Sequence, residues 1–259
     1  MKIESAGTSA AGGGHAATYD RIGVGYREVR RPDPRLAALI AEALGDARTV
    51  VNVGAGAGSY EPQDREVTAV DPSRVMLDQH PGTRKVRAGA DQLPFADGAF
   101  DAAMAVMTVH HWPDPARGLA ELRRVSRRQA VFTWDPEHVT ELWLFEEYLP
   151  EVGAREHATF TPLSVVTGAL DAHTVLPFPV PHDFTDGFRA AFWRRPESYL
   201  DPVVRAAGST FASLPASVVE PAIARLREDL RSGAWQRRHA ALLERESVDY
   251  GYRLVLAGA

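Results

Sequence analysis

Val50-Val-Asn-Val-Gly54-Ala-Gly56-Ala-Gly58-Ser-Tyr60 is the stretch that decides how this chain folds. It joins a short apolar run, Thr49 to Val53, directly to three glycines at alternate positions. Such a run suits a strand buried on both faces of a parallel sheet. Glycines at its end let the backbone turn tightly and bring its N–H groups close to a ligand. The G-x-G-x-G spacing differs from the G-x-G-x-x-G of dinucleotide binders. Read alone, it suits an ordinary turn as well as a ligand loop.

Working outward, Asp33-Pro34 followed by Leu36, Leu39, Ile40, Ala43 and Leu44 predicts an amphipathic helix. Asp33 is its N-cap, Pro34 its first residue, and Gly45 ends it. Downstream, Glu66 to Val70 reads as a second strand. Residues 73–79 read as a helix with Val75 and Met76 facing inward, and Thr83 to Arg87 as a short third strand. Phe100 to Val109 is a fourth strand, 114–128 a helix, and Gln129 to Trp134 a fifth strand. Alternating strands and helices imply a Rossmann-like α/β fold, a mostly parallel sheet with helices on both faces and right-handed crossovers. Eight residues, Pro62 among them, separate Gly58 from Val67. The helix expected there must be very short or replaced by a turn, which weakens any helix N-terminus contribution to ligand binding.

The second half is less regular. Helices are expected at 137–149 and 162–170. Val175 to Val180 is strand-like, but Pro177 and Pro179 confine it to an edge. Residues 186–246 read as mostly helical, broken at Pro196, Pro202, Gly208 and Pro215, and Tyr252 to Ala257 closes the chain as a strand. The expected organisation is a flexible tail over 1–17 and a single domain over 18–259. Residues 183–246 form a late helical lid or substrate insertion within it.

The chain has 259 residues, 45% of them hydrophobic, enough for one large α/β domain with a full core. Its formal net charge of −5 poorly suits a nucleic-acid backbone, so no nucleic-acid partner is expected. With no cysteine, disulfides and thiolate zinc sites are excluded. His110-His111 lacks the spacing of a metal-binding pair, so no metal is expected. No apolar run approaches the roughly 18 residues of a membrane span. The tail lacks the charged start and apolar stretch of a signal peptide, so a cytoplasmic location is expected. The oligomeric state is left open.

Two further stretches carry chemistry. Asp71 ends the second strand in Thr68-Ala-Val-Asp71-Pro72, where an acidic residue takes ribose hydroxyls or serves as a turn former. The third is Gly89-Ala-Asp-Gln-Leu-Pro-Phe-Ala-Asp-Gly-Ala-Phe-Asp101. The glycine loop, Asp71 and the loop Leu93-Pro-Phe…Phe100-Asp101 occur in order over roughly residues 18–135. Together they resemble the class I S-adenosylmethionine-dependent methyltransferases, especially the small-molecule branch with a methyltransferase type 11 domain.

That resemblance implies S-adenosyl-L-methionine as cofactor and assigns roles by position. Gly54, Ala55 and Gly56 would line its methionine part. Asn52 stands where the family usually has an acidic residue. Asp71 would bind the ribose hydroxyls, with Pro72 or Met76 against the adenine. Ala90 would offer its backbone to the adenine, and Asp91 would accept from the exocyclic amine, taking over from the Asp often found where Gly89 stands. Met107 would sit beside the sulfonium through its backbone. Tyr19-Asp-Arg-Ile-Gly-Val-Gly-Tyr26 resembles the segment that closes over the cofactor, although Tyr19 and Tyr26 equally suit surface packing.

Methyl transfer from a sulfonium depends on alignment, and needs a base only when the nucleophile carries a proton. His110 and His111 follow the fourth strand, at the strand end where open α/β sheets place ligands. On a continuing strand only one of the two could face the site. His182, beside Asp183, is a second candidate base. Asp183 or Thr185 equally suits a helix cap. Phe188, Phe192, Trp193 and Tyr199 are core or pocket lining. The resulting expectation is methyl transfer to a small acceptor, an apolar or aromatic natural-product-like metabolite, with C-, O- and N-methylation left open. The alternatives are a non-catalytic adenosyl-cofactor-binding protein and a nicotinamide-dependent oxidoreductase.

Overall fold

The computed structural model describes residues 29–212 and 214–259. The tail over 1–17, Tyr19 and Tyr26 lie outside the described residues.

Helix α1 spans Pro34–Ala43, capped by Asp33, whose side chain accepts from the Arg35 backbone N–H. Strand β1 is Thr49–Val53, β2 Glu66–Val70 and β3 Lys85–Val86, with α2 (Arg74–Gln79) between β2 and β3. Strand β4 (Phe100–Val106) leads through a 3-10 turn, Val109–His111, into α3 (Pro115–Val125) and β5 (Ser126–Trp134). Next come α4 (Pro150–Thr159), α5 (Leu163–Leu170), β6 (Thr174–Pro177) and β7 (Val180–Pro181). Short helices α6 (Pro202–Ala206) and α7 (Ser209–Ala212) precede α8 (Ala216–Arg231), α9 (Ala234–Arg238) and α10 (Ala240–Leu243). Strands β8 (Ser247–Val248) and β9 (Tyr252–Gly258) follow.

Seven strands form one sheet in the order β3-β2-β1-β4-β5-β9-β6, and β7 pairs with β8 apart from it. The first five strands of that order run parallel, while β9 is antiparallel to both β5 and β6. This is the mostly parallel Rossmann-like sheet expected from the alternating pattern. Successive strands build outward to opposite sides of β1, so the order reverses between β1 and β4. The carboxyl ends of strands at such a reversal flank a crevice.

Side-chain alternation sorts the strands between two cores. Val50, Met104 and Phe132 face α1 and the late helical region, with Leu36, Ile40 and Trp193. Val51, Ala103 and Val131 face α3 and α5, with Leu119, Leu122 and Val166. The central strands are therefore covered on both sides, which is why they read as unbroken apolar runs.

Several expectations change. In α2 the inward residues are Met76 and Leu77, while Val75 is 38% exposed. Strand β4 stops at Val106, short of Val109, because Met107 adopts a left-handed backbone (φ 53°). The segment expected as a helix at 137–149 is a 3-10 stretch, Pro136–Glu141, and a π-turn, Leu144–Tyr148. Helix α4 was not foreseen. Asp183 and Thr185 start no helix. Asp183 pairs with Arg35, and the Thr185 N–H donates to Asp33. Phe188, Trp193 and Tyr199 are core residues, each at most 4% exposed.

Candidate active site

The glycine loop leaves β1 through three left-handed residues, Gly54 (φ 74°), Gly56 (φ 53°) and Gly58 (φ 87°). The N–H groups of Gly54 and Ala55 both donate to the Val70 carbonyl, at 2.8 and 3.0 Å. At Gly54 a Cβ would lie 2.0 Å from Thr108 Oγ1, so the close approach of this loop to the end of β4 requires glycine. Between Gly58 and β2 the backbone turns without a helix. Tyr60 takes a left-handed φ of 65° there, a strained conformation for a bulky residue. Its hydroxyl donates to Asp186 Oδ2 at 2.8 Å and accepts from the Asp33 N–H at 3.2 Å. Burial, with Asp186 beside it, pushes this phenol far above its ordinary pKa and keeps it a neutral donor.

Asp71 is 8% exposed. Its Oδ2 accepts from the Gly56 N–H and its Oδ1 from the Ser73 N–H, both at 2.8 Å. These bonds fix the carboxylate between the glycine loop and the start of α2. Asn52, buried on β1, donates through Nδ2 to Glu61 Oε1 at 2.9 Å. The same oxygen meets His80 Nε2 at 3.0 Å, while His80 Nδ1 accepts from the Gly82 N–H at 2.9 Å. With Nδ1 accepting, the proton of a neutral His80 sits on Nε2 and points at Glu61. The carboxylate absent from position 52 is thus supplied nine residues further on by Glu61, which accepts from Asn52 Nδ2.

The third motif is held by helix α3. Glu121 accepts from the Leu93 N–H at 2.8 Å, and Arg124 donates to the Leu93 and Phe95 carbonyls at 3.0 and 2.7 Å. Asp101 accepts from the backbone N–H groups of Arg48 and Thr49, each at 3.0 Å, which aligns β4 with β1. At Gly89 a Cβ would lie 2.7 Å from Asp91 Oδ1. Asp91 therefore occupies the space a side chain at 89 would use.

These segments surround a cleft of about 250 Å³. Asn52, Gly54, Ala55, Gly56, Asp71, Pro72, Met76, Ala90, Asp91 and Met107 all line it, and so does His111. Met107 donates its N–H to the Phe132 carbonyl at 2.8 Å, so the carbonyl is the backbone group it can offer the cleft. His110 and His111 lie on the 3-10 turn rather than on a continuing strand, and their rings are 3.9 Å apart. His110 also packs on Phe160 at 5.1 Å. His182 is not brought to the cleft. It pairs with Glu246 at 3.2 Å beside β7. Arg30, Tyr60, Thr108 and Trp112 line the cleft without having been singled out. For Thr108 the signal was Gly54 itself, whose missing side chain makes room for the threonine. No group of three or more metal-ligating side chains occurs among the described residues.

The class defined by this sheet order and cleft is that of nucleoside-binding α/β proteins. The family model described as a methyltransferase domain matches residues 51–133. A putative methyltransferase from an antibiotic biosynthesis pathway of Anabaena variabilis is similar in structure. It is 30% identical, with a TM-score of 0.82, over 89% of this chain and 99% of that one. An uncharacterized methyltransferase of Mycobacterium sp. (strain KMS) is 35% identical over 33% of this chain and 37% of its own length. The chloroplastic 2-methyl-6-phytyl-1,4-hydroquinone methyltransferase 2 of Oryza sativa subsp. japonica is 34% identical over 37% of this chain and 31% of its own length. The chain thus covers about a third of the length of these two curated relatives. The chain belongs to the S-adenosylmethionine-dependent methyltransferases, and S-adenosylmethionine is the cofactor of that family.

The residues present suit that cofactor. Asp71, an acceptor-only carboxylate held at the cleft wall, matches the hydroxyl donors of a ribose. Gly54, Ala55 and Gly56 line the cleft, so the backbone of the loop forms part of its wall. Pro72, Met76 and Ala90 supply apolar surface for a flat ring.

Proposed function

We propose that this chain transfers the methyl group of S-adenosylmethionine to a small-molecule acceptor. One observation carries the reading: a single cleft joins the Asp71 and glycine-loop wall to His111, Met107 and Trp112 at the end of β4. When bound, the cofactor supplies an electrophilic methyl group on a sulfonium. Asp71 would hold the ribose, Ala90 and Asp91 the adenine, and Gly54, Ala55 and Gly56 the methionine part. His111 is the cleft histidine able to accept a proton from the acceptor. His110 would orient it from the neighbouring ring position. Residues 183–246 would cover the acceptor side, and Met107 and Trp112 on the cleft wall favour an apolar or aromatic acceptor.

The relatives support a small acceptor, since one acts on a hydroquinone and another is assigned to antibiotic biosynthesis. The net charge of −5 argues against a nucleic-acid substrate. No helix among the described residues is long and apolar enough to cross a membrane. A cytoplasmic setting belongs to the same proposal.

Calorimetry with S-adenosylhomocysteine and with NAD tests the cofactor reading. S-adenosylhomocysteine should bind and NAD should not. Asp71→Ala should weaken S-adenosylhomocysteine by about 10- to 100-fold, the range of a lost hydrogen bond to a charged group. Transfer of a labelled methyl group across a metabolite panel then tests turnover. Binding without any transfer would favour a non-catalytic cofactor-binding role.

A further inference from the structure

Tyr60 stands at a junction that none of these roles uses. It closes the loop that begins at Gly54, and with Ala57 and Ser59 it lines the cleft. Its left-handed backbone is costly for a bulky side chain, so the surroundings must hold it there. The ring is buried in the core beside α1. The hydroxyl accepts from the Asp33 N–H at the start of α1 and donates to Asp186, 126 residues further along the chain.

Asp186 belongs to a short strap, residues 183–188, that leads from β7 into the late helices. The strap is fastened at two places. The first joint is an Arg35–Asp183 pair at 2.7 Å with the Thr185 N–H on Asp33 at 3.1 Å, and none of these four residues lines the cleft. The second joint is Asp186 itself, 1% exposed. It accepts from the Tyr60 hydroxyl at 2.8 Å and from Arg30 Nε and Nη2, and it forms an antiparallel bridge with Arg30. Next to it the Gly187 N–H donates to the Val29 carbonyl at 3.0 Å. A Cβ at Gly187 would lie 2.4 Å from Val29 Cγ1, so this close approach requires glycine. The second joint is the one whose partners, Tyr60 and Arg30, both line the cleft.

Both ends of the junction are mechanically connected. Within the loop, Gly54 and Ala55 donate to Val70, and Gly56 donates to Asp71. A ligand against Asp71 therefore acts on the same loop that Tyr60 ends. In the strap, Phe184 and Phe188 flank Asp186, and their rings pack 4.7 Å apart. Phe188 lies 4.5 Å from Tyr252 of β9, and Arg195 donates to the Phe184 carbonyl at 2.6 Å. Close-packed side chains pass a shift at Asp186 onward rather than absorb it.

Resting on the cofactor assignment above, we propose that the Tyr60–Asp186 hydrogen bond is a latch that couples occupancy of the cofactor cleft to the closure of the 183–188 strap. A ligand on the glycine loop favours the latched arrangement, and the latched strap in turn favours the ligand, since such coupling is reciprocal. The Arg35–Asp183 joint holds the strap to α1 whether or not the cleft is filled.

Hydrogen–deuterium exchange of wild type and variants, with and without S-adenosylhomocysteine, tests this. Calorimetry sets the concentration that saturates each protein. In wild type the ligand should slow exchange about fivefold or more both over 54–60 and over 183–192. In Tyr60→Phe the slowing should persist over 54–60 and fall within about twofold of none over 183–192. Asp186 keeps its arginine partner in that variant, so no buried anion is orphaned. Asp186→Asn should also lose the response of the strap, and it replaces Tyr60→Phe if that variant does not fold. Asp183→Asn, which weakens the first joint, should keep the wild-type response. Equal slowing over 183–192 in wild type and Tyr60→Phe, or no slowing there in a wild type that binds, would overturn the proposal. If thermal melts show that neither Tyr60→Phe nor Asp186→Asn folds, the contact is structural and the proposal falls. Wild type that does not bind S-adenosylhomocysteine would instead overturn the cofactor reading on which it rests.

Discussion

At the scale of single residues, the motif positions divide into those that face the cleft and those that hold the ones that do. Asp71 and Gly54 face it. Leu93 and Asp101 are structural: one is clamped by Glu121 and Arg124, the other aligns two strands. Asn52 illustrates a departure whose compensation lies elsewhere, since Glu61 and His80 complete its surroundings. Restoring an acid at that position should therefore be harmful. Asn52→Asp would set a second buried carboxylate against Glu61, raising the pKa of one of them. The expected loss is about 1–3 kcal/mol at neutral pH, the range for an unsatisfied buried polar group. Thermal melts should show that loss largely reversed in the Asn52→Asp/Glu61→Gln double variant. An unchanged melting temperature in Asn52→Asp would show that Glu61 does not sense position 52. The sequence made Asn52 visible as an oddity. It hid the partners, because nothing in the spacing of residues 52, 61 and 80 marks them as neighbours.

Among the elements, the first five strands and α1 were legible because each is specified locally. A strand buried on both faces must be apolar throughout, and Asp33-Pro34 marks a helix start on its own. The end of β4 was not legible, since the left-handed turn at Met107 is imposed by packing rather than residue type. Nor were the 3-10 and π turns after β5, where prolines and aromatics suit several backbones. Helix α1 yields a prediction in pH. Burial raises the Asp33 carboxyl, but hydrogen bonds from Arg35 and Thr185 outweigh it and hold the group below its ordinary value. A lowered pKa in the folded state gives stability that is present above the unfolded value, near 3.9, and lost as pH falls through the folded value. Asp33→Asn should thus destabilise the protein at pH 7 by about 1–2 kcal/mol, with the difference from wild type shrinking below about pH 4. Denaturant titrations at pH 7 and pH 3.5 check both the size and the sign.

Across the whole molecule, the late region is tied to the sheet through buried polar groups as well as core packing. Arg189 ion-pairs with Glu156 and lies over Trp134, 3.7 Å from the ring centroid, while Thr210 donates to Glu156 at 2.6 Å. Removing one partner leaves the other charge buried, so Glu156→Gln should cost about 3–5 kcal/mol. Replacing both in Glu156→Met/Arg189→Met should cost much less, and the comparison of melting temperatures measures how strongly the two are coupled. Equal losses would mean that the pair acts as packing alone. The convergence of Arg30, Tyr60 and Asp186 belongs to this scale too, and it was invisible in the sequence because the chain folds back to assemble it. The sheet order carries one last consequence, for how the protein is made. Strand β6 has β9 as its partner within the sheet, and β9 inserts between β6 and β5. During synthesis, β6 must therefore wait with unsatisfied backbone edges until the ribosome has delivered Tyr252 to Gly258. The parallel half can condense early from contacts close in sequence, but closure of the sheet depends on its last-made strand. That interval is when the nascent chain is most exposed to pairing with a neighbour.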